Sequence, residues 1–237
     1  MNSNKNVYSS NYFNDKVFCE QAINYWLLNI NIENRGCSCV LFDKENYFIL
    51  SGGSNKEIKL FDKDGDEIDS IRKSDDSCYS FNFIEATYLN KKPYILLCLN
   101  DYSECYDYKD RSSRKYKPKQ NKGYHNDINL FNNNKRIYLI VSRGYDVVIF
   151  DFESTNEISS IKVNEKSYFN GLCSLNEKYI LVGDDKEIRV LNFDSKSFIK
   201  NYKDFTDESI QGIEKINVPN EGVIIVCYTE NIISFWK

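Results

Sequence analysis

The feature that most constrains this chain is that it repeats. An aromatic or aliphatic anchor followed by an acid or its stand-in recurs at Phe61-Asp62, Tyr106-Asp107, Phe150-Asp151, Leu191-Asn192 and Trp236-Lys237. The anchors are 45, 44, 41 and 45 residues apart. A regular period of that length marks a fold assembled from one supersecondary unit used several times. Each unit has the same internal order. An alternating run comes first, as in "CSCVLF" (37–42), "YSFNFI" (79–84) and "HNDINLF" (125–131). A short polar turn, a more apolar run, a second turn and the anchor-bearing run follow. A polar run such as "EIDSIR" (67–72) closes the unit. Short alternating runs separated by turn residues, with no helical period, predict four antiparallel strands per unit. The apolar second run belongs near the centre of such a unit, and the polar fourth at its outer edge.

Composition agrees. Aromatic residues make up 15% of the 237 residues, with 18 Tyr and 15 Phe, and aromatic side chains suit a pleated, half-buried surface. The N-terminus "MNSNKNVYSSNYFNDK" lacks the apolar core of a signal peptide. An intracellular, cytoplasmic location is therefore expected. Most of the eight cysteines sit inside apolar runs and read as small buried hydrophobes rather than as disulfides or metal ligands. With one histidine and no C-x-x-C pair, a zinc site is not expected.

The stretch "ILSGGSNKEIKLFDK" (49–63) resembles the strand–turn–strand signature of the WD40-repeat family. In that comparison Phe61, Tyr106, Phe150, Leu191 and Trp236 occupy the family's Trp position, and Asp62, Asp107, Asp151, Asn192 and Lys237 its Asp position. The repeats are degenerate, since only one copy keeps the Trp and three keep the Asp. The resemblance covers residues 24–237 and implies an all-β propeller of about five four-stranded blades, with units near 37–76, 77–122, 123–166, 167–207 and 208–237 plus 24–36. Residues 1–23 form an N-terminal extension. The last unit stops after its third strand, and the resemblance implies that residues 24–36 supply the missing one. Three arrangements stay open: a closed five-bladed ring, a ring completed by another chain or a second copy, and a further degenerate blade hidden in the N-terminal extension. The family's side-chain hydrogen-bond network is matched in part by His125, Ser142 and Asp146, although Phe150 cannot supply an indole N–H.

No catalytic motif is present: there is no G-x-S-x-G, P-loop or H-E-x-x-H, and no carboxylate pair is expected to point inward. No enzyme activity, metal or cofactor is expected. The one anomaly in charge is "KDRSSRKYKPKQNKGYH" (109–125). Lys109, Arg111, Arg114, Lys115, Lys117, Lys119 and Lys122 face a single acid, Asp110, in a chain of net charge −4. Such a run either protects an exposed edge strand or binds an anionic partner. Tyr116 and Tyr124 stand close enough in sequence to stack on bases. The function expected is a protein–protein interaction scaffold or adaptor. The alternative is an adaptor for phosphoinositide membrane or RNA that works through 109–122.

Overall fold

The computed structural model describes residues 37–42, 47–52, 57–61, 66–72, 83–89, 92–120, 123–133, 136–163, 169, 171–203, 207–218, 222–229 and 231–236. Asp62, Lys122, Lys237 and the N-terminal segments 1–23 and 24–36 lie outside the described residues. Within them the chain is all-β, with nineteen strands and no helix. It forms five antiparallel sheets, each a meander in chain order.

The first sheet holds β1 (Cys37–Phe42), β2 (Tyr47–Gly52), β3 (Glu57–Phe61) and β4 (Glu67–Arg72). The second holds β5 (Phe83–Leu89), β6 (Lys92–Cys98), β7 (Ser103–Asp107) and β8 (Ser112–Tyr116). The third holds β9 (His125–Asn133), β10 (Arg136–Arg143), β11 (Asp146–Asp151) and β12 (Glu157–Lys162). The fourth holds β13 (Leu172–Ser174), β14 (Tyr179–Asp184), β15 (Glu187–Asn192) and β16 (Ser197–Tyr202). The fifth has three strands, β17 (Gly212–Val218), β18 (Gly222–Tyr228) and β19 (Ile233–Trp236).

Four antiparallel strands per unit are thus found in four of the five sheets. One opening strand is displaced from its expected place. The run 79–84 was expected to open the second unit, but β5 begins at Phe83. Leu89 lies opposite Lys92 and Phe83 opposite Cys98, so the run "FIEATYL" is the strand, and residues 79–82 of the expected run lie outside the described residues.

Burial explains the order of strands. β6 and β14 are buried along almost their whole length, because neighbouring sheets cover both of their faces and a continuous apolar run is what such a strand requires. The fourth strands β12 and β16 are mostly half-buried or exposed. The second to fifth sheets pack face to face in succession. One apolar core sets Tyr94, Leu96, Cys98, Cys105 and Tyr116 against Ile128, Leu139, Val141, Val148 and Phe150. The next sets Ile140, Val147 and Ile149 against Leu172, Ile180, Val182 and Leu191. Alternation along β10 and β11 thus feeds two cores, Leu139, Val141, Val148 and Phe150 on one face and Ile140, Val147 and Ile149 on the other. Each fully buried side chain of this kind contributes about 1.5–3 kcal/mol. First strands lie side by side in chain order, β1 with β5, β5 with β9, β9 with β13 and β13 with β17.

Candidate functional site

The basic segment does not form one patch, because β8 divides it. Lys109 and Arg111 precede the strand and Lys117 and Lys119 follow it, so about 15 Å of extended chain separates the two groups. The arginines are taken up by protein. Arg111 reaches back to the first sheet, its Nη2 donating to Asp69 Oδ2 at 2.5 Å. Arg114 reaches forward, to Glu153 at 3.4 Å and over the Phe152 ring at 4.8 Å. Tyr116 is buried, so it offers no face to a base, and its hydroxyl donates to the Phe152 carbonyl at 3.0 Å. Between adjacent sheets, the middle of the segment is therefore mortar.

The lysines at the end of β8 and beyond it are placed differently. The Lys115 and Lys117 ammonium groups stand 5.1 and 5.8 Å from the centre of the buried Tyr102 ring. Lys117 and Lys119 are exposed, as is Tyr124. The main chain of this loop is pinned to the third sheet. Lys119 N donates to Glu157 at 2.6 Å, Gly144 N donates to Tyr124 O at 3.1 Å, and the buried Arg143 guanidinium donates to Gln120 O.

The repeat anchors are structural in what they touch. Phe150 and Leu191 are fully buried and Tyr106 nearly so. Phe150 meets Tyr116 edge-on at 5.7 Å. Trp236 is 47% exposed on the last strand. Phe61 pairs along the backbone with Ile49 and Glu67. The residues after the anchors build the following turn. Asp107 Oδ1 accepts from the N–H groups of Lys109 and Asp110. Asp151 Oδ1 accepts from Ser154 N and Oγ, and Asn192 Oδ1 accepts from Asp194 N and Ser195 N. Four residues beyond each lies a left-handed residue, Arg111, Thr155 or Lys196.

His125 does not make the network expected with Ser142 and Asp146. Its Nδ1 lies 2.6 Å from Ser103 Oγ, on the preceding sheet. The Ser142 Oγ is buried with no hydrogen-bond partner, and Asp146 accepts from Ser160 Oγ at 3.2 Å. Burial first, and the Arg143 charge second, lower the His125 pKa to about 3, so the ring is neutral at physiological pH.

A second grouping was not read from the sequence. Glu85 of β5, Asp127 of β9 and Glu214 of β17 all have raised pKa values, and the Asp127 charge acts on both glutamates. Glu85 is raised by burial and then by Asp127, and Glu214 by burial, then Glu85 and Asp127. Burial lifts Asp127 to about 7 against the pull of the Leu172 and Ile128 N–H groups. Both N–H groups donate at 2.7 Å, so this carboxyl also ties β9 to the fourth sheet. Tyr228 joins the group, its own pKa raised by burial, then by Asp127 and Glu214. Its ring lies where a side chain on residue 212 would stand, which requires Gly212. The available sequence signal was a single acid inside each of these first runs: "FIEATYL", "HNDINLF" and "GIEKINV".

The described cysteines Cys98, Cys105, Cys173 and Cys227 are buried free thiols, as expected. Among the described residues, no group of three or more His, Cys, Asp and Glu is placed to hold a metal ion, and no helix is long and apolar enough to cross a membrane. No protein-family model matches the sequence, and no curated protein matches it significantly.

Proposed function

We propose that the five sheets are the blades of a propeller of degenerate WD40-like repeats, and that the protein is a non-catalytic intracellular scaffold binding protein partners through the loops at its two ends. The observation that carries this reading is the side-by-side run of the first strands β1, β5, β9, β13 and β17, with an electrostatic link between Glu85 and Glu214 across it. They belong to the second and fifth sheets, yet each feels Asp127 of the third, and Glu214 feels Glu85 as well. First strands that only followed one another along a row would keep these carboxyls apart, whereas first strands around a common axis bring them together. A rigid array of strands then fixes the geometry of loops that are free to vary in sequence.

The fifth sheet has one strand fewer than the others, and its last strand carries Ile233 and Phe235 at 62% and 67% exposure. In this reading residues 24–36 complete it, in keeping with the open-edge rule for sheets. A second copy or a partner strand is the competing source. The arginines of the basic segment bind neighbouring sheets, which weighs against the phosphoinositide or RNA reading, because planar arginine is the residue best suited to forked phosphate contacts.

The test combines shape with binding. Solution scattering and sedimentation of the full chain should give a compact monomer, and affinity purification should recover a stoichiometric protein partner. An extended particle would sink the propeller, and a compact particle with no partner would sink the scaffold.

A further inference from the structure

We infer that the loop after β8, together with the β10–β11 turn, is a docking site for an acidic, aromatic-bearing segment of a partner protein. The site rests on the scaffold reading and specifies where the partner binds and with what chemistry. Four side chains define it: Lys117 and Lys119 supply charge, and Tyr124 and Tyr145 supply exposed rings, 58% and 37% accessible.

Preorganisation is the first argument. The loop is held by Lys119 N to Glu157, by Arg143 to Gln120 O and by Gly144 N to Tyr124 O. The last bond sets the Tyr124 main chain beside the Gly144-Tyr145 turn, so two exposed tyrosines come from neighbouring segments. Val163 N, in turn, donates to Tyr145 O at 2.8 Å. Lys119, Gln120 and Tyr124, held by these bonds, lose little conformational entropy on binding, and tyrosine offers a large contact area with few rotatable bonds.

Charge is the second. The nearby acids are engaged within the protein: Glu157 accepts from Lys119 N, and Asp146 accepts from Ser160 Oγ and faces Arg143. Asp101 is the exposed acid on the turn leading to Tyr102. Lys117 and Lys119 are exposed, while Arg111, Arg114 and Arg143 are held by Asp69, Glu153 and Gln120. A phosphate ligand would favour forked guanidinium contacts. A surface presenting lysines and tyrosines suits carboxylates interleaved with apolar groups, and aromatic residues are enriched at protein interfaces.

The experiment uses the full chain and a fluorescein-labelled peptide of alternating glutamate and phenylalanine. Oligouridylate RNA and vesicles containing phosphatidylinositol phosphate serve as comparators. Lys117→Glu with Lys119→Glu should weaken peptide binding by about tenfold or more, and Tyr124→Ser should weaken it as well. Lys109→Glu, at the other end of β8, should leave it unchanged. Binding weakened equally by Lys109→Glu would mean diffuse attraction and overturn the site, as would tighter binding of the RNA or the vesicles, or no peptide binding at physiological salt. A natural partner retained by the Lys117/Lys119 variant would also overturn the site while leaving the scaffold intact.

Discussion

At the scale of single residues, two serines show how far identity is from environment. Ser103 and Ser142 are both fully buried on strands, but Ser103 meets His125 at 2.6 Å while the Ser142 hydroxyl meets no partner. Removing one half of a buried hydrogen bond strands the other half, at about 1–3 kcal/mol. Ser103→Ala should therefore destabilise by about that amount in denaturant unfolding. Ser142→Ala removes a desolvated hydroxyl that has no bond to lose, so its unfolding midpoint should hold or rise. Equal losses at the two positions would mean that His125 does not choose between them.

Among the elements, the third-to-fourth strand turn is the part most uniformly built. The Asp or Asn after each anchor caps it, in the second, third and fourth sheets alike. The left-handed residue four positions on is Arg111, Thr155 or Lys196. At Thr155, φ is 60°, a conformation that a β-branched side chain pays for with roughly 1–2 kcal/mol. Thr155→Gly should raise the melting temperature. Asp151→Ala, which removes two hydrogen bonds to Ser154, should lower stability by about 1 kcal/mol. The Asp151 pKa is held below its usual value, mainly by the Ser154 N–H. Its contribution is present above the unfolded carboxylate pKa of about 3.9 and lost as pH falls through the lower folded value, so the Asp151→Ala deficit should shrink in strong acid.

For the whole molecule, the test is whether distant sheets share one electrostatic centre. Raised carboxyls stabilise the fold when protonated, and that stability is lost as pH rises through their folded pKa, about 7 for Asp127. His125 acts in the opposite direction. Its lowered pKa costs stability as pH falls from about 6.5 towards 3. The two effects overlap between pH 4 and 6.5 and separate above it, where the carboxyl effect stands alone. Glu85→Gln and Glu214→Gln should each raise the melting temperature at pH 8 and flatten its decline above the unfolded glutamate pKa of about 4.3. The double variant should gain less than the two single gains together, because each substitution already relieves repulsion on the other carboxylate. Strict additivity would place the two sheets too far apart to interact. Deleting residues 1–36 should destabilise a ring that closes on its own N-terminal strand, and a chain whose melting temperature is unchanged would point to an external strand.

The period of the anchors, the alternation within each run and the polar turns determined the all-β class and the four-stranded meander, because they are local properties written into neighbouring residues. The buried second strands and open fourth strands were legible for the same reason. Tertiary structure decided the rest. The basic run read as one patch, but only the packing of the second sheet against the first and third shows Arg111 paired with Asp69 and Arg114 with Glu153 while Lys117 and Lys119 stay outside. Glu85, Asp127 and Glu214 are 42 to 129 residues apart in sequence, and Ser103 is separated from His125 by a complete outer strand. A charge or a hydroxyl takes its role from what surrounds it in space, and those surroundings come from chain segments that no short stretch of sequence contains.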